Sequence, residues 1–142
     1  MKKILLCLDT DVQPSVFDSI VAIDSGVDQL FRHGGVKPEQ VRDLVHGAMF
    51  TRGGEGLRST AIFIGGSDVH AAEQLMIAAQ RSFIGPVRVS LMLDPSGSCT
   101  TAAAAVVTAS RHISLGPETI AVVLGGTGAV GQRAVKMLAQ EG

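Results

Sequence analysis

Four short apolar runs, each ending in glycine or small polar residues, constrain this 142-residue chain more than any other feature. Ile4–Leu8 closes on Asp9-Thr10-Asp11, Thr60–Ile64 on Gly65-Gly66-Ser67-Asp68, Val87–Leu93 on Asp94-Pro95-Ser96-Gly97-Ser98, and Thr119–Leu124 on Gly125-Gly126-Thr127-Gly128. Continuous apolar runs of this length are the mark of strands buried on both faces. Segments with helical spacing separate them. Val16, Phe17, Ile20, Val21 and Ile23 form the apolar side of a helix that opens near Pro14, whose ring suits a first helical turn. Val41, Leu44 and Val45 follow Lys37-Pro38-Glu39 in a second helix, which Gly47 is expected to stop, with Met49–Thr51 as a brief strand candidate. Ala72, Leu75, Met76, Ala79 and Phe83 mark a third helix, begun by Ser67 or Asp68. The Ala-rich stretch Thr100–Ser110 is a fourth, and Val130–Gln140 a fifth with Val130, Ala134, Val135 and Leu138 inward. Strand and helix in alternation predict an α/β fold, a parallel sheet with helices on both faces in three layers. Such sheets take ligands at the carboxyl ends of their strands, where all four polar closures fall.

Composition narrows the function classes. Twelve Lys+Arg against thirteen Asp+Glu leave a net charge of −1, so no basic field invites nucleic acid. Neither Trp nor Tyr is present to stack bases. No apolar run approaches the ~18 residues of a membrane span. Lys2-Lys3 and the run behind them imitate a secretory signal, but Asp9 and Asp11 cut that run short. Cys7 and Cys99 lack CxxC spacing, and two unpaired thiols without a signal read as cytoplasmic. His33, His46, His70 and His112 show no metal-ligand spacing, so no metal is assigned.

The sharpest motif is Gly126-x-Gly128-x-x-Gly131, between an apolar run and a helix. The first glycine permits a tight turn, the second lets backbone approach a pyrophosphate, and the third lets helix and strand pack closely. Gly126, Thr127, Gly128, Ala129, Val130 and Gly131 are therefore the cofactor-binding candidates; a tight turn without a ligand is the plainer alternative. The residue that reads the cofactor ribose belongs about 20 residues further on, which makes this unit the start of a longer nucleotide-binding domain. Asp9 and Asp11 suit a polar ligand or acid–base work, although capping the helix near Pro14 is the simpler role. Thr51 and Arg52 precede Gly53-Gly54 on a loop apt for a carboxylate or phosphate, or for a solvated arginine. Ser98, Thr100 and Thr101 could donate to a ligand from a helix start, or cap that helix.

Taken in order, these segments resemble the NADP-dependent methylene-tetrahydromethanopterin dehydrogenases. The resemblance is carried by Leu8–Asp11, Pro14–Asp18, Thr51–Gly54, Ser59–Phe63, Gly65-Gly66, Met92–Asp94, Gly97–Ala104 and Val122–Leu124 with the glycine turn. It implies a one-carbon oxidoreductase in which residues 1–113 form an α/β pterin-side domain and 114–142 begin a Rossmann domain. By the resemblance, hydride passes from methylene-tetrahydromethanopterin, or methylene-tetrahydrofolate, to NADP, with NAD as the alternative acceptor. Asp9, Asp11, Phe17, Thr51, Arg52, Ser98, Thr100 and Thr101 match segments that face the pterin cleft. Positioning rather than acid–base chemistry would drive the transfer, so no catalytic residue is named. A homo-oligomer is expected, because the apolar face of a lone βα unit needs cover. The contrasting reading is a pterin- or anion-binding module without redox activity.

Overall fold

The computed structural model describes residues 1–141. They form two compact units, Met1–Ser96 and Gly97 onward. In the first, β1 (Ile4–Asp9), α1 (Val16–Asp24), β2 (Gln29–His33), α2 (Pro38–Phe50), a short α3 (Glu55–Arg58), β3 (Thr60–Gly65), α4 (Val69–Arg81) and β4 (Ser90–Leu93) follow one another. The second holds α5 (Ser98–Ser110) and α6 (Ala129–Glu141).

The sheet has the order β2-β1-β3-β4 and every pairing is parallel, as the buried apolar runs require. Side chains alternate along each strand. Leu6 and Leu8 of β1 and Ile62 and Ile64 of β3 meet Val41, Val45, Ala48 and Met49 of α2 and Leu75 and Ala79 of α4 in one apolar core. Cys7 and Phe63, one residue out of phase and paired in register, turn to the face that carries α1. Leu75 is fully buried at the centre of the α4 stripe. Leu75→Ala is expected to lower stability by about 2–5 kcal/mol, read from the urea midpoint, because a packed core closes only partly over the lost side chain.

Four local expectations are corrected. Gln29–His33 is a strand that the apolar pattern does not reveal; as an edge strand it has Leu30 and His33 half-buried while Gln29, Phe31 and Arg32 stay exposed. α2 does not stop at Gly47, and Met49–Thr51 is not a strand. Gly47 is exposed, whereas Ala48 and Met49 are buried, and core packing outweighs the ~1 kcal/mol helix cost of one glycine. β4 begins at Ser90, since Ile84 and Val87 pair with each other around Gly85-Pro86.

The largest departure is in α1. Its apolar residues face outward: Val16, Phe17, Ile20, Val21 and Ile23 are all exposed. Ser15, Asp18, Ser19 and Ala22, spaced i, i+3, i+4 and i+7, form the inner stripe, with Ala22 buried and the Ser19 hydroxyl accepting from Arg32 Nη1 at 3.2 Å.

In the second unit α5 and α6 pack together, with Ala102 and Ala134 buried. Residues 119–124 are not a strand. Ile120, Val122 and Leu124 are exposed, while Ala121 and Val123 turn to α6 and line a groove of about 320 Å³ with Val135 and Leu138. A strand is defined by its ladder, and no described strand pairs with this segment. For the same reason Val130 and Val135 are exposed and not inward; Ala134 alone of the four expected core positions is buried.

Candidate functional site

At the carboxyl ends of β1, β3 and β4 three loops are tied together by their own polar groups. Asp9 is only 4% exposed. Its Oδ1 accepts from the Asp11 amide at 2.8 Å and its Oδ2 from the Ser15 amide at 3.1 Å. Asp9 therefore shapes the loop before α1 and is not that helix's cap. The cap is Ser15, whose Oγ accepts from the Asp18 amide at 3.1 Å. Asp11 reaches across to the loop after β3: its carboxylate accepts from the Ser67 amide at 3.0 Å and from the Ser67 hydroxyl at 2.7 Å. Asp68 caps α4 through the Ala71 amide. The Ser96 amide donates to the Gly66 carbonyl at 3.0 Å, which brings in the loop after β4. Gly34 also lies against this knot, for a Cβ there would overlap the Val12 carbonyl.

The knot gathers negative charge. Asp18 stands near Gly65, where an added Cβ would lie 3.6 Å from its Oδ2. Burial holds its carboxyl above the ordinary value of 3.8, with Asp9 and Asp94 adding repulsion and the Ser15 hydroxyl opposing them. A raised folded-state value favours the protonated form in the fold. The stability this contributes is complete below the ordinary value and is lost as pH rises through the folded one. At neutral pH the charge opposes folding. Asp18→Asn should thus raise the melting temperature at pH 7, and the gain should vanish near pH 3; a lower melting temperature at pH 7 would refute this. On the same face burial, with Asp18 and then Asp9 nearby, pushes the Cys7 thiol up to about 11 against the pull of Arg32, which leaves it a packing group and not a nucleophile.

Phe17 is exposed in the first turn of α1. Thr51 and Arg52 sit at the opposite end of the sheet. Arg52 Nε donates to Thr60 Oγ1 at 3.1 Å and Nη2 to the Lys2 carbonyl at 2.6 Å, bracing the starts of β3 and β1. Five strand steps, about 16 Å, separate Thr60 from Gly65. Thr51 bonds back to the Gly47 carbonyl. In the second unit Ser98 is buried, Thr100 donates to the Gly97 carbonyl, Thr101 is exposed, and Gly97, at φ +62, occupies the cap of α5. Gly66 and Ser67 are the site-building residues that sequence reasoning passed over as single positions. The run after β3 flagged their loop, but only the fold shows Asp11 reaching it.

The glycine turn is tight, but the apolar segment before it forms no strand. The Gly128 amide donates to the Gly125 carbonyl at 2.9 Å, and the Gly128 carbonyl accepts from the Gln132 amide at 2.9 Å as the first bond of α6. A Cβ on Gly131 would overlap the Gly125 carbonyl and lie 2.8 Å from Gly126 Cα, so the turn needs glycine there. A Cβ on Gly128 would come no closer than 3.4 Å. The amides of Ala129, Val130 and Gly131 have no acceptor within α6, as in any first helical turn, and this suits an anionic pyrophosphate. Among the described residues no group of three or more His, Cys, Asp or Glu side chains could hold a metal ion, and no helix is long and apolar enough to cross a membrane.

A parallel sheet with loops knotted together at its carboxyl edge is an open α/β domain. Residues 16–96 match the family model described as methylene-tetrahydromethanopterin dehydrogenase, N-terminal. The chain belongs to that family. It is 50% identical over 105 residues to the bifunctional protein MdtA of Methylorubrum extorquens, which covers 74% of this chain and 36% of the relative. It is 33% identical over 133 residues to the NAD(P)-dependent methylenetetrahydromethanopterin dehydrogenase of the same organism, covering 90% of this chain and 45% of the relative. The chain thus spans less than half the length of either relative.

Proposed function

We propose that this chain is the pterin-side portion of a cytoplasmic one-carbon oxidoreductase, with 1–113 as the pterin domain and 114–142 as the opening of the nucleotide-binding domain. Methylene-tetrahydromethanopterin, or methylene-tetrahydrofolate, is the substrate and is oxidised to the methenyl form. NADP is the acceptor of the hydride, with NAD as the alternative. The observation that carries the reading is the carboxylate-rich knot at the carboxyl edge of the sheet, in a chain of this family. The amino-pyrimidine edge of a pterin presents N–H donors, and a carboxylate is their natural acceptor. Asp11 is the half-buried carboxylate at the loop tip and takes that role; Asp9 holds the loop in shape. Phe17 offers a ring for the pterin to lie against; Ser98, Thr100 and Thr101, in the second unit, enter through the family resemblance. Thr51 and Arg52 enter through the family resemblance alone, since their bonds are to the sheet's other end. Gly126 to Gly131 would hold the cofactor pyrophosphate, and the cofactor supplies hydride acceptance.

The test is titration of the chain with each reduced pterin, followed by mixing methylene-pterin with NADP⁺ in the full-length oxidoreductase and watching for methenyl absorbance. Pterin binding with methenyl formation supports the reading. Pterin binding without it favours the binding module. No binding of either pterin overturns both.

A further inference from the structure

A groove of about 390 Å³ runs between α2 and the end of α4, and none of its residues belongs to the proposed pterin or cofactor sets. Pro38, Arg42 and His46, spaced i, i+4 and i+8 on one side of α2, form one wall. Arg81, which closes α4, forms the other with Phe83 and Ile84 of the turn behind it. The two walls are fastened to each other. His46 Nε2 donates to the Ser82 carbonyl at 2.9 Å, and the His46 ring lies 5.0 Å from that of Phe50, centroid to centroid.

Charge is divided between the two sides of α2. Glu39 and Asp43 line a different groove, beside β2, whereas Arg42 turns toward α4. No carboxylate lines the groove that holds the two guanidinium groups. Among the described residues neither Arg42 nor Arg81 makes an ion pair, and both are exposed. The carbonyl end of α4 is reason enough for a cation at Arg81. It does not account for Arg42, which stands in the second turn of α2 and brings a like charge to the same groove. An anion shared by the two would turn that repulsion into attraction.

We propose that this groove binds a phosphate monoester carried on an apolar or aromatic body. One guanidinium fork satisfies a carboxylate, but a phosphate dianion has three terminal oxygens and takes a fork from each wall. Half-buried Phe83 and exposed Ile84 give the body an apolar rest beside the charges. The volume falls at the small end of the ~300–1,000 Å³ of ligand sites, which suits a small ester and not a dinucleotide.

Titration of the chain with phenyl phosphate at low salt, followed by NMR at the His46 ring and the Ser82 amide, tests this. The dissociation constant should be on the order of 0.1–1 mM. Inorganic phosphate lacks the body and benzoate lacks the dianion, so each should bind roughly tenfold more weakly. Arg42→Gln and Arg81→Gln each remove a fork and should weaken phenyl phosphate by about fivefold or more, with the melting temperature unchanged. Arg42→Lys keeps the charge without the fork and should fall between wild type and Arg42→Gln. No binding at about 10 mM phenyl phosphate, affinity untouched by Arg42→Gln, or shifts confined to the glycine turn before α6 would each overturn the site. Benzoate bound as well as phenyl phosphate would overturn the ligand class. The groove shares no residue with the knot at the carboxyl edge, so pterin binding by Arg42→Gln should match wild type. Failure of wild type to bind a pterin would count against the proposed function and leave this site standing.

Discussion

Gly66→Ala is expected to cost the first unit about 3–5 kcal/mol, a large fraction of the stability of a typical domain. Two effects add. Gly66 stands at φ +111, where an L side chain is strained. Its added Cβ would overlap Thr10 Oγ1 and lie 2.9 Å from the Thr10 amide nitrogen and 3.0 Å from Asp9 Oδ1. None of these can retreat easily. The Thr10 hydroxyl is already buried without a hydrogen-bond partner among the described residues, and Asp9 holds two loop amides. Overpacking of this kind costs about 1–3 kcal/mol beyond the backbone strain. Gly85→Ala is the matched control, since Gly85 has φ +54 but open space around the new methyl. It should cost only about 1 kcal/mol of strain. Urea unfolding of both variants isolates the collision. Equal losses would mean that the loops at the carboxyl edge are not locked against Gly66.

How far the fold could be read from the sequence follows from what each element needs. β1 and β3 are central strands, covered on both faces, and burial writes itself into Leu5-Leu6-Cys7-Leu8 and Ala61-Ile62-Phe63-Ile64 as continuous apolar runs. β2 is an edge strand with few buried side chains, so Gln29–His33 carries no such run. Periodicity found α1, α2 and α4 because spacing reports that a helix has two sides. It does not report which side meets the sheet. In α4 the apolar side is inside; in α1 it is outside, since the sheet offers Arg32 and Cys7 to that helix and takes Ser19 and Asp18 in return. Residues 119–124 show the converse limit, for an alternating apolar segment becomes a strand only where a neighbour completes its ladder.

The candidate site was legible as loops and not as contacts. Glycine and aspartate at the ends of apolar runs located the carboxyl edge, because parallel sheets gather ligands there. That Asp11 closes on Ser67, 56 residues away, depends on β1 and β3 being neighbours, which no local pattern encodes. Arg52 is the counter-example. Its loop composition suits an anion site, yet its guanidinium fastens two strand starts. A basic residue beside glycines is read the same way in either case, and only the topology separates them.

The glycine turn before α6 allows structure and ligand binding to be separated by two substitutions. Gly131→Ala drives a methyl into the Gly125 carbonyl and against Gly126 Cα. The turn must open, so the helical signal of α6 and any binding of NADP⁺ should fall together. Gly128→Val meets the Gly125 carbonyl oxygen at 3.4 Å from its Cβ, a tight contact within reach of small adjustment. The far-UV spectrum should therefore change little. On the proposed reading the valine branches occupy the pyrophosphate position, and in the full-length oxidoreductase NADP⁺ affinity should fall at least tenfold, the equivalent of about 1.4 kcal/mol. Titration of both variants beside wild type, each with its circular dichroism spectrum, gives the answer. Loss of affinity in Gly128→Val with an intact spectrum marks a cofactor turn, because no fold defect would then account for it. Unchanged affinity in that variant, together with collapse in Gly131→Ala, would mean that these glycines serve the close packing of turn on helix and that the dinucleotide is held elsewhere.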